Sequence, residues 1–114
     1  MYNKYKSKRT VCREGHIHDS AKEAVRCEEL CYLQRFGKIR NLKIQREFVL
    51  IPARKYSDMP NERKCSYIAD FCYMQNGKLI VEDTKGYKTR DYIIKRKLFK
   101  EKYCQSGMII FKET

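Results

Sequence analysis

A chain of 114 residues has room for one hydrophobic core and not two, and no run in it approaches the ~20 consecutive apolar residues of a membrane span. Its 26 Lys+Arg against 14 Asp+Glu leave a formal charge of +12, which favours a polyanionic partner. Nucleic acid fits better than a membrane surface, because the basic segments lack the sustained apolar face that anchors an interfacial helix.

The first residues are polar and basic, with no signal-peptide core behind them, so the expected setting is cytoplasmic. Six cysteines then read as reduced thiols, either buried or ligating metal, rather than as three disulfides. Residues 1–18 form a basic arm suited to lying along a phosphate backbone. Residues 19–114 form a single domain.

The arm and the helix after it carry Cys12, His16, His18, Cys27 and Cys31, a set of soft and borderline ligand types. Cys27 and Cys31 stand one helical turn apart, so a structural zinc tying arm to helix is feasible. The alternative is that cysteines at helical core spacing are small buried hydrophobes. Cys65, Cys72 and Cys104 show no ligand spacing and read as packing residues.

Helical periodicity in Ala24, Cys27, Leu30, Cys31 and Leu33 predicts a helix over 20–36, stopped by Gly37. Ser20-x-x-Glu23 has the form of a capping box, in which the glutamate returns to the cap residue's amide. Approximate alternation of Leu42, Ile44, Phe48 and Leu50 predicts a strand over 42–51, and the polar stretch 53–64 with Pro60 predicts a loop. Segments 66–74 and 78–85 flank Asn76-Gly77, a strong hairpin signal. A second helix is expected over 89–103, capped by Thr89, with Ile94, Leu98 and Phe99 on its apolar face. Residues 108–111 suit a short buried strand.

In that hairpin, Asp83 and Lys85 share a face because side chains two apart on a strand point the same way. Glu82 falls on the opposite face, as a surface or second-layer residue. Residues 70 and 83 are equidistant from the centre of the turn, so a symmetric two-residue turn pairs Asp70 with Asp83. Facing carboxylates repel unless a cation lies between them. Oxygen ligands of this type suit Mg2+ or Mn2+, and Lys85 can orient an attacking water or neutralise a phosphate.

Asp70, twelve intervening residues and then Asp83-Thr84-Lys85 resemble the D…(D/E)xK signature of the PD-(D/E)xK nuclease superfamily, over residues 19 to 112. The wider pattern HDSAKEAVRCEEL, LKIQREF, SYIADF and VEDTKGYKT is similar to a family of small phage and prophage proteins assigned to that superfamily. The resemblance implies an α/β class with a restriction-endonuclease-like αβββαβ core, a mixed central sheet flanked by helices. It implies that Asp70, Asp83 and the backbone carbonyl of Thr84 bind Mg2+, that Lys85 serves the attacking water, and that Glu23 and Gln45 belong to the site edge. Ala69 stands where the literal signature has proline, and Asp83 where glutamate is commoner.

Downstream of that strand, Lys88, Arg90, Lys95, Arg96 and Lys97 could lead DNA toward the metal, or could form a solvated helix face. Tyr87 and Tyr92 could stack on a base or pack. The expected activity is Mg2+-dependent hydrolysis of phosphodiester bonds in phage or prophage DNA metabolism. A Holliday-junction resolvase, which needs a homodimer for symmetric cutting, falls within it. The alternative class is a basic DNA-binding or recombination-accessory protein that keeps the fold without turnover.

Overall fold

In the computed structural model, residues 10–13, 15–18 and 20–114 are described. The expected basic arm lies mostly outside them, in residues 1–9. The elements are β1 (Thr10–Val11), β2 (Ile17–His18), α1 (Ala21–Arg35), β3 (Arg40–Ile51), β4 (Cys65–Gln75), β5 (Lys78–Asp83), α2 (Arg90–Tyr103) and β6 (Ile109–Glu113). From α1 onward this is the expected helix, three strands, helix, strand.

Strands β3, β4, β5 and β6 form one mixed sheet in that order, antiparallel except for the parallel β5–β6 pair. The right to place a parallel strand beside β5 comes from α2, which supplies the crossover that parallel strands need. Helix α1 covers one face of the sheet, where Ala24, Cys27 and Leu30 meet Phe71, Tyr73 and Ile80. Helix α2 covers the other, where Tyr92 and Phe99 meet Tyr67, Ala69, Cys72 and Val81. The fold is a three-layer α/β/α arrangement, as the sequence predicts.

The Asn76-Gly77 turn has both residues at positive φ, 53° and 76°, the requirement of a type I′ hairpin. Gln75 pairs with Lys78, and the register runs back unbroken to Phe71 opposite Glu82. The ladder ends there, and just beyond it the side chains of Asp70 and Asp83 interact, as the symmetric turn leads one to expect. Strand β5 ends at Asp83, short of the expected Lys85. The chain is nevertheless held alongside β6, because the Thr114 N–H donates to the Asp83 carbonyl (2.9 Å) and the Lys85 N–H to the main-chain oxygen of Thr114 (3.3 Å).

Two expectations need correction. On α2, Phe99 is fully buried, but Ile94 and Leu98 are 58% and 37% exposed. The inward face is instead aromatic: Phe99 and Tyr103 lie 5.0 and 5.5 Å from the Phe48 ring, and large rings bury more area than an aliphatic side chain in the same place. Strand β6 is an edge strand running to Glu113, with Ile110 39% exposed, rather than a fully buried strand over 108–111.

The β1–β2 hairpin was not foreshadowed. Its strands are two residues each, too short to show alternation, and it closes through a Cys12 N–H to His16 carbonyl bond of 3.0 Å.

Candidate functional site

The hairpin β4–β5 and the first turn of α1 together place three carboxylates at one end of the sheet. The Asp70 carboxyl is in hydrogen-bond contact with those of both Asp83 and Glu23. Asp70, Asp83 and Glu23 are all buried, Asp83 completely.

Each aspartate has a dedicated donor. Asp70 Oδ2 accepts from the Thr84 N–H (2.9 Å) and the Thr84 hydroxyl (3.0 Å). Asp83 Oδ2 accepts from the Tyr67 hydroxyl. Asp83 Oδ1 is buried without a hydrogen bond, and Lys85 Nζ lies 3.5 Å from it. The Lys85 ammonium also sits 4.8 Å from the centre of the Tyr92 ring, which holds it over the site.

Burial, then the neighbouring Asp70, push the Asp83 carboxyl up to about 8. Burial pushes Asp70 upward too, but its contacts with Asp83, Glu23 and the Thr84 N–H, and the charge of Lys85, outweigh it and hold Asp70 below the usual carboxylate range. The two carboxyls are thus driven apart, Asp83 upward and Asp70 downward, by their burial side by side. Like charges held this close repel, and a cation between them would remove the repulsion.

Glu23 combines the two roles its sequence position allows in a form the capping box does not describe. Its backbone N–H is capped by Ser20 Oγ at 3.2 Å. Its side chain goes to His18 Nδ1, 2.7 Å away, and to Asp70.

Gln45 is not brought into this group. Its side chain is exposed, and its φ is +56°. It lies between the pairs Ile44↔Phe71 and Arg46↔Ala69, directly across from Asp70. Around this point the sheet reverses its faces: Ala69 packs toward α2 but Phe71 toward α1, although they are two residues apart. The backbone at Gln45 therefore takes part in the irregularity that turns Asp70 toward the site.

Glu82 lies on the opposite face and is fully buried, the second-layer placement of the two the sequence allows. Arg26 grips it with Nε to Oε2 at 2.5 Å and Nη2 to Oε1 at 3.0 Å, and the Tyr73 hydroxyl donates to Oε1 at 2.7 Å. This pair joins α1 to β5 directly behind Asp83.

Two residues of the site carry no sequence signal for their roles. Tyr67 stands three residues before Asp70 and reads as core. The Thr84 side chain sits at the variable position of the motif.

Of the basic residues on the α2 side, Lys88, Arg90 and Lys97 are exposed. Lys95 pairs with Asp91 at 3.7 Å and Arg96 with Glu113 at 3.0 Å. Tyr92 is buried and Tyr87 is 62% exposed.

A second cluster lies where the hairpin meets α1. Ligand atoms of Cys12, His16, His18 and Cys27 are all within 4.8 Å of one another, and the four could hold a metal ion. Cys12 Sγ is 3.7 Å from Cys27 Sγ; His16 Nδ1 is 3.6 Å from Cys12 Sγ and 3.3 Å from Cys27 Sγ. Cys31, expected among the ligands, is not in the cluster. The hairpin meets α1 at the level of Cys27 and supplies the remaining donors there. None of the six cysteines is in a disulfide. Cys72 is buried, with Cys65 and Cys104 packed against the same core.

The chain belongs to the DUF1064 family, proteins of unknown function, with residues 2–113 matched. The matched stretch of this DUF1064 chain takes in both the β1–β2 hairpin and the carboxylate end of the sheet. No curated protein and no solved structure matches it. Among the described residues, no helix is long and apolar enough to cross a membrane.

Proposed function

We propose that this DUF1064 chain is a Mg2+-dependent DNA endonuclease of the PD-(D/E)xK type, with the restriction-endonuclease-like core that its element order resembles. The observation that carries the reading is the buried contact of Glu23, Asp70 and Asp83 beside the Lys85 ammonium. Asp83 Oδ1 is buried without a hydrogen bond, and the Lys85 ammonium at 3.5 Å is too far to supply a good one, so the oxygen is open to a further cation. An all-oxygen donor set suits Mg2+ or Mn2+ rather than a soft metal.

Asp70 and Asp83 would hold the ion, with Glu23 at its edge and the Thr84 carbonyl as a further oxygen. A bound Mg2+ supplies Lewis-acid polarisation of the scissile phosphate and acidifies water. Tyr67 and Thr84 fix the two aspartates in place, leaving them little freedom to relax when phosphate arrives. Lys85, held between Asp83 and the Tyr92 ring, presents a positive charge to the phosphate and a donor to the attacking water. The exposed Lys88, Arg90 and Lys97 give the DNA backbone a track toward this point, and the +12 charge gives long-range attraction.

For the second cluster, thiolate and imidazole donors suit Zn2+ in a structural role. A cytoplasmic setting, in a host cell if the chain is phage-encoded, keeps those thiols reduced.

The test is a cleavage panel of linear duplex, single-stranded, flap and four-way-junction DNA and RNA, with and without Mg2+, run beside Asp83→Asn. Mg2+-dependent cutting that the variant loses while it still binds DNA is the expected result. Cutting of the junction by a dimer would narrow the reading to a resolvase. Salt-sensitive binding without cutting would replace it with a DNA-binding accessory protein.

A further inference from the structure

Both candidate metal centres end on the same pair of side chains. The Cys/His cluster reaches His18, and the carboxylate cluster reaches Glu23. His18 Nδ1 and Glu23 Oε2 are 2.7 Å apart and both side chains are buried. We infer that a zinc ion at Cys12, His16, His18 and Cys27 is the positioning element for Glu23, so that zinc loading sets the Mg2+ affinity of the carboxylate centre. This rests on the nuclease reading of that centre.

The geometry of the first centre is that of a tetrahedral thiolate–imidazole site. Zinc bonds of about 2.3 Å to sulfur and 2.0–2.1 Å to nitrogen give tetrahedral edges of about 3.8 Å between sulfurs and about 3.5 Å between sulfur and nitrogen. The observed edges of 3.7, 3.6 and 3.3 Å fall close to those lengths. His18 completes the set within 4.8 Å. Four ligands satisfy a structural zinc, which accounts for the exclusion of Cys31.

The chemistry of the link follows from the two nitrogens of one imidazole. With Nδ1 directed at Glu23, Nε2 is the nitrogen that the metal takes. Metal on Nε2 fixes the proton on Nδ1, and that N–H then donates to Glu23 Oε2. This is the carboxylate–histidine–zinc arrangement that orients ligands in many metal sites. Here the carboxylate at its far end is also a neighbour of Asp70, so the second site inherits the orientation. The 2.7 Å contact between Nδ1 and Oε2 then fixes where the Glu23 carboxylate points. Without zinc, no metal at Nε2 fixes the ring's orientation, the imidazole can turn, and Glu23 loses its fixed donor.

Two surrounding features favour transmission over slack. Cys27 and Glu23 lie one turn apart on α1, and Ser20 caps the same turn, so both ends of the link share one rigid segment. The hairpin is short and held at Cys12 and His16, so its position depends on the ligands themselves.

Energetic coupling between two sites is reciprocal, so the unmodified protein can report it. Co2+ in place of zinc gives a thiolate-to-metal absorption band specific to the Cys/His centre. Its titration with and without saturating Mg2+, which has little affinity for thiolates, should show roughly tenfold tighter Co2+ binding with Mg2+ present, the lower range for an outer-shell partner. Glu23→Gln should keep the Co2+ band and lose the Mg2+ effect. Mn2+ binding to the same preparations, read by electron paramagnetic resonance, reports the carboxylate centre independently.

Absence of the thiolate band overturns the zinc site and the inference with it. A band whose Co2+ affinity ignores Mg2+, in protein that binds Mn2+, overturns the coupling and leaves the nuclease reading standing. A band in protein that binds no Mn2+ removes the nuclease reading and the coupling together. Retention of the Mg2+ effect in Glu23→Gln also overturns the inference, because the link must pass through that carboxylate.

Discussion

The two clusters are built by opposite strategies. The carboxylate centre takes both aspartates from one hairpin, β4–β5, and each is held by a hydrogen bond from that hairpin or the residue after it, Thr84 to Asp70 and Tyr67 to Asp83. The Cys/His centre draws Cys12, His16 and His18 from a hairpin of two-residue strands and Cys27 from the helix beneath it. In the first, fold precedes site. In the second, the ligands hold one another, and a metal would fasten the local fold. Removing function from the first should therefore leave the structure intact, whereas emptying the second should loosen it.

The largest expected effect lies at the carboxylate centre. Lys85→Ala should lower the cleavage rate by roughly 10²–10³-fold, the cost of losing one preorganised charge at a developing anion. Mn2+ binding and thermal unfolding should barely change, because the Lys85 side chain is 30% exposed and its ion-pair contact with Asp83 is long at 3.5 Å. Equal losses of Mn2+ affinity and rate would show that Lys85 holds the site together instead of acting on the substrate.

At the second cluster the expected change is in stability. Free zinc at a thousand times its dissociation constant should stabilise the protein by about 4 kcal/mol against denaturant, by mass action on the folded state. Zinc removal should also speed hydrogen exchange at the Cys12 amide, which donates across the hairpin to His16. An unfolding midpoint that ignores zinc would show that the hairpin stands without a metal.

The same contrast explains what could be read from the sequence. Asp70, Asp83 and Lys85 sit at positions governed by strand period and by a two-residue turn, both of which are local rules. The hairpin's register was legible as far as Phe71 opposite Glu82, whereas Lys85 falls beyond the end of the strand expected to carry it. Tyr67 was not legible, since a buried tyrosine on a strand gives no sign of where its hydroxyl points. Gln45 was placed by resemblance, but its positive φ turns a backbone feature into its contribution and leaves the side chain in solvent. The ligand types of the Cys/His set were visible, but choosing four of five required the tertiary position of the hairpin on α1. On α2, counting aliphatic residues pointed to Ile94 and Leu98, whereas the aromatic face won.

A smaller effect belongs to the donors behind the carboxylates. Tyr67→Phe leaves Asp83 Oδ2 buried without its hydroxyl partner, at about 1–3 kcal/mol in the metal-free protein. The loss should shrink in Mg2+, because the ion offsets part of the charge left without a donor. Denaturant melts of parent and variant with and without Mg2+ measure the difference. A loss of the same size in both conditions would place the ion away from Asp83.

The smallest effect is expected at Glu113, on the edge strand beyond Lys85. Its carboxylate accepts from the Tyr92 hydroxyl (2.5 Å) and Arg96 (3.0 Å), clamping β6 to the helix whose Tyr92 ring carries Lys85. Burial pushes this carboxyl upward, but the Tyr92 and Arg96 hydrogen bonds outweigh it and hold it below the usual range. A depressed folded-state value means that the stabilisation is present above the unfolded value and lost as pH falls through the folded one. Glu113→Gln should therefore cost about 1 kcal/mol at neutral pH, as expected of a partly exposed ion pair at the sheet edge, and nothing in acid, with Mn2+ binding unchanged. Melts of the two proteins across that pH range would show the curves converging on acidification. Curves that stay parallel would mean that the clamp owes nothing to charge and that packing of Tyr92 alone fixes the ring under Lys85.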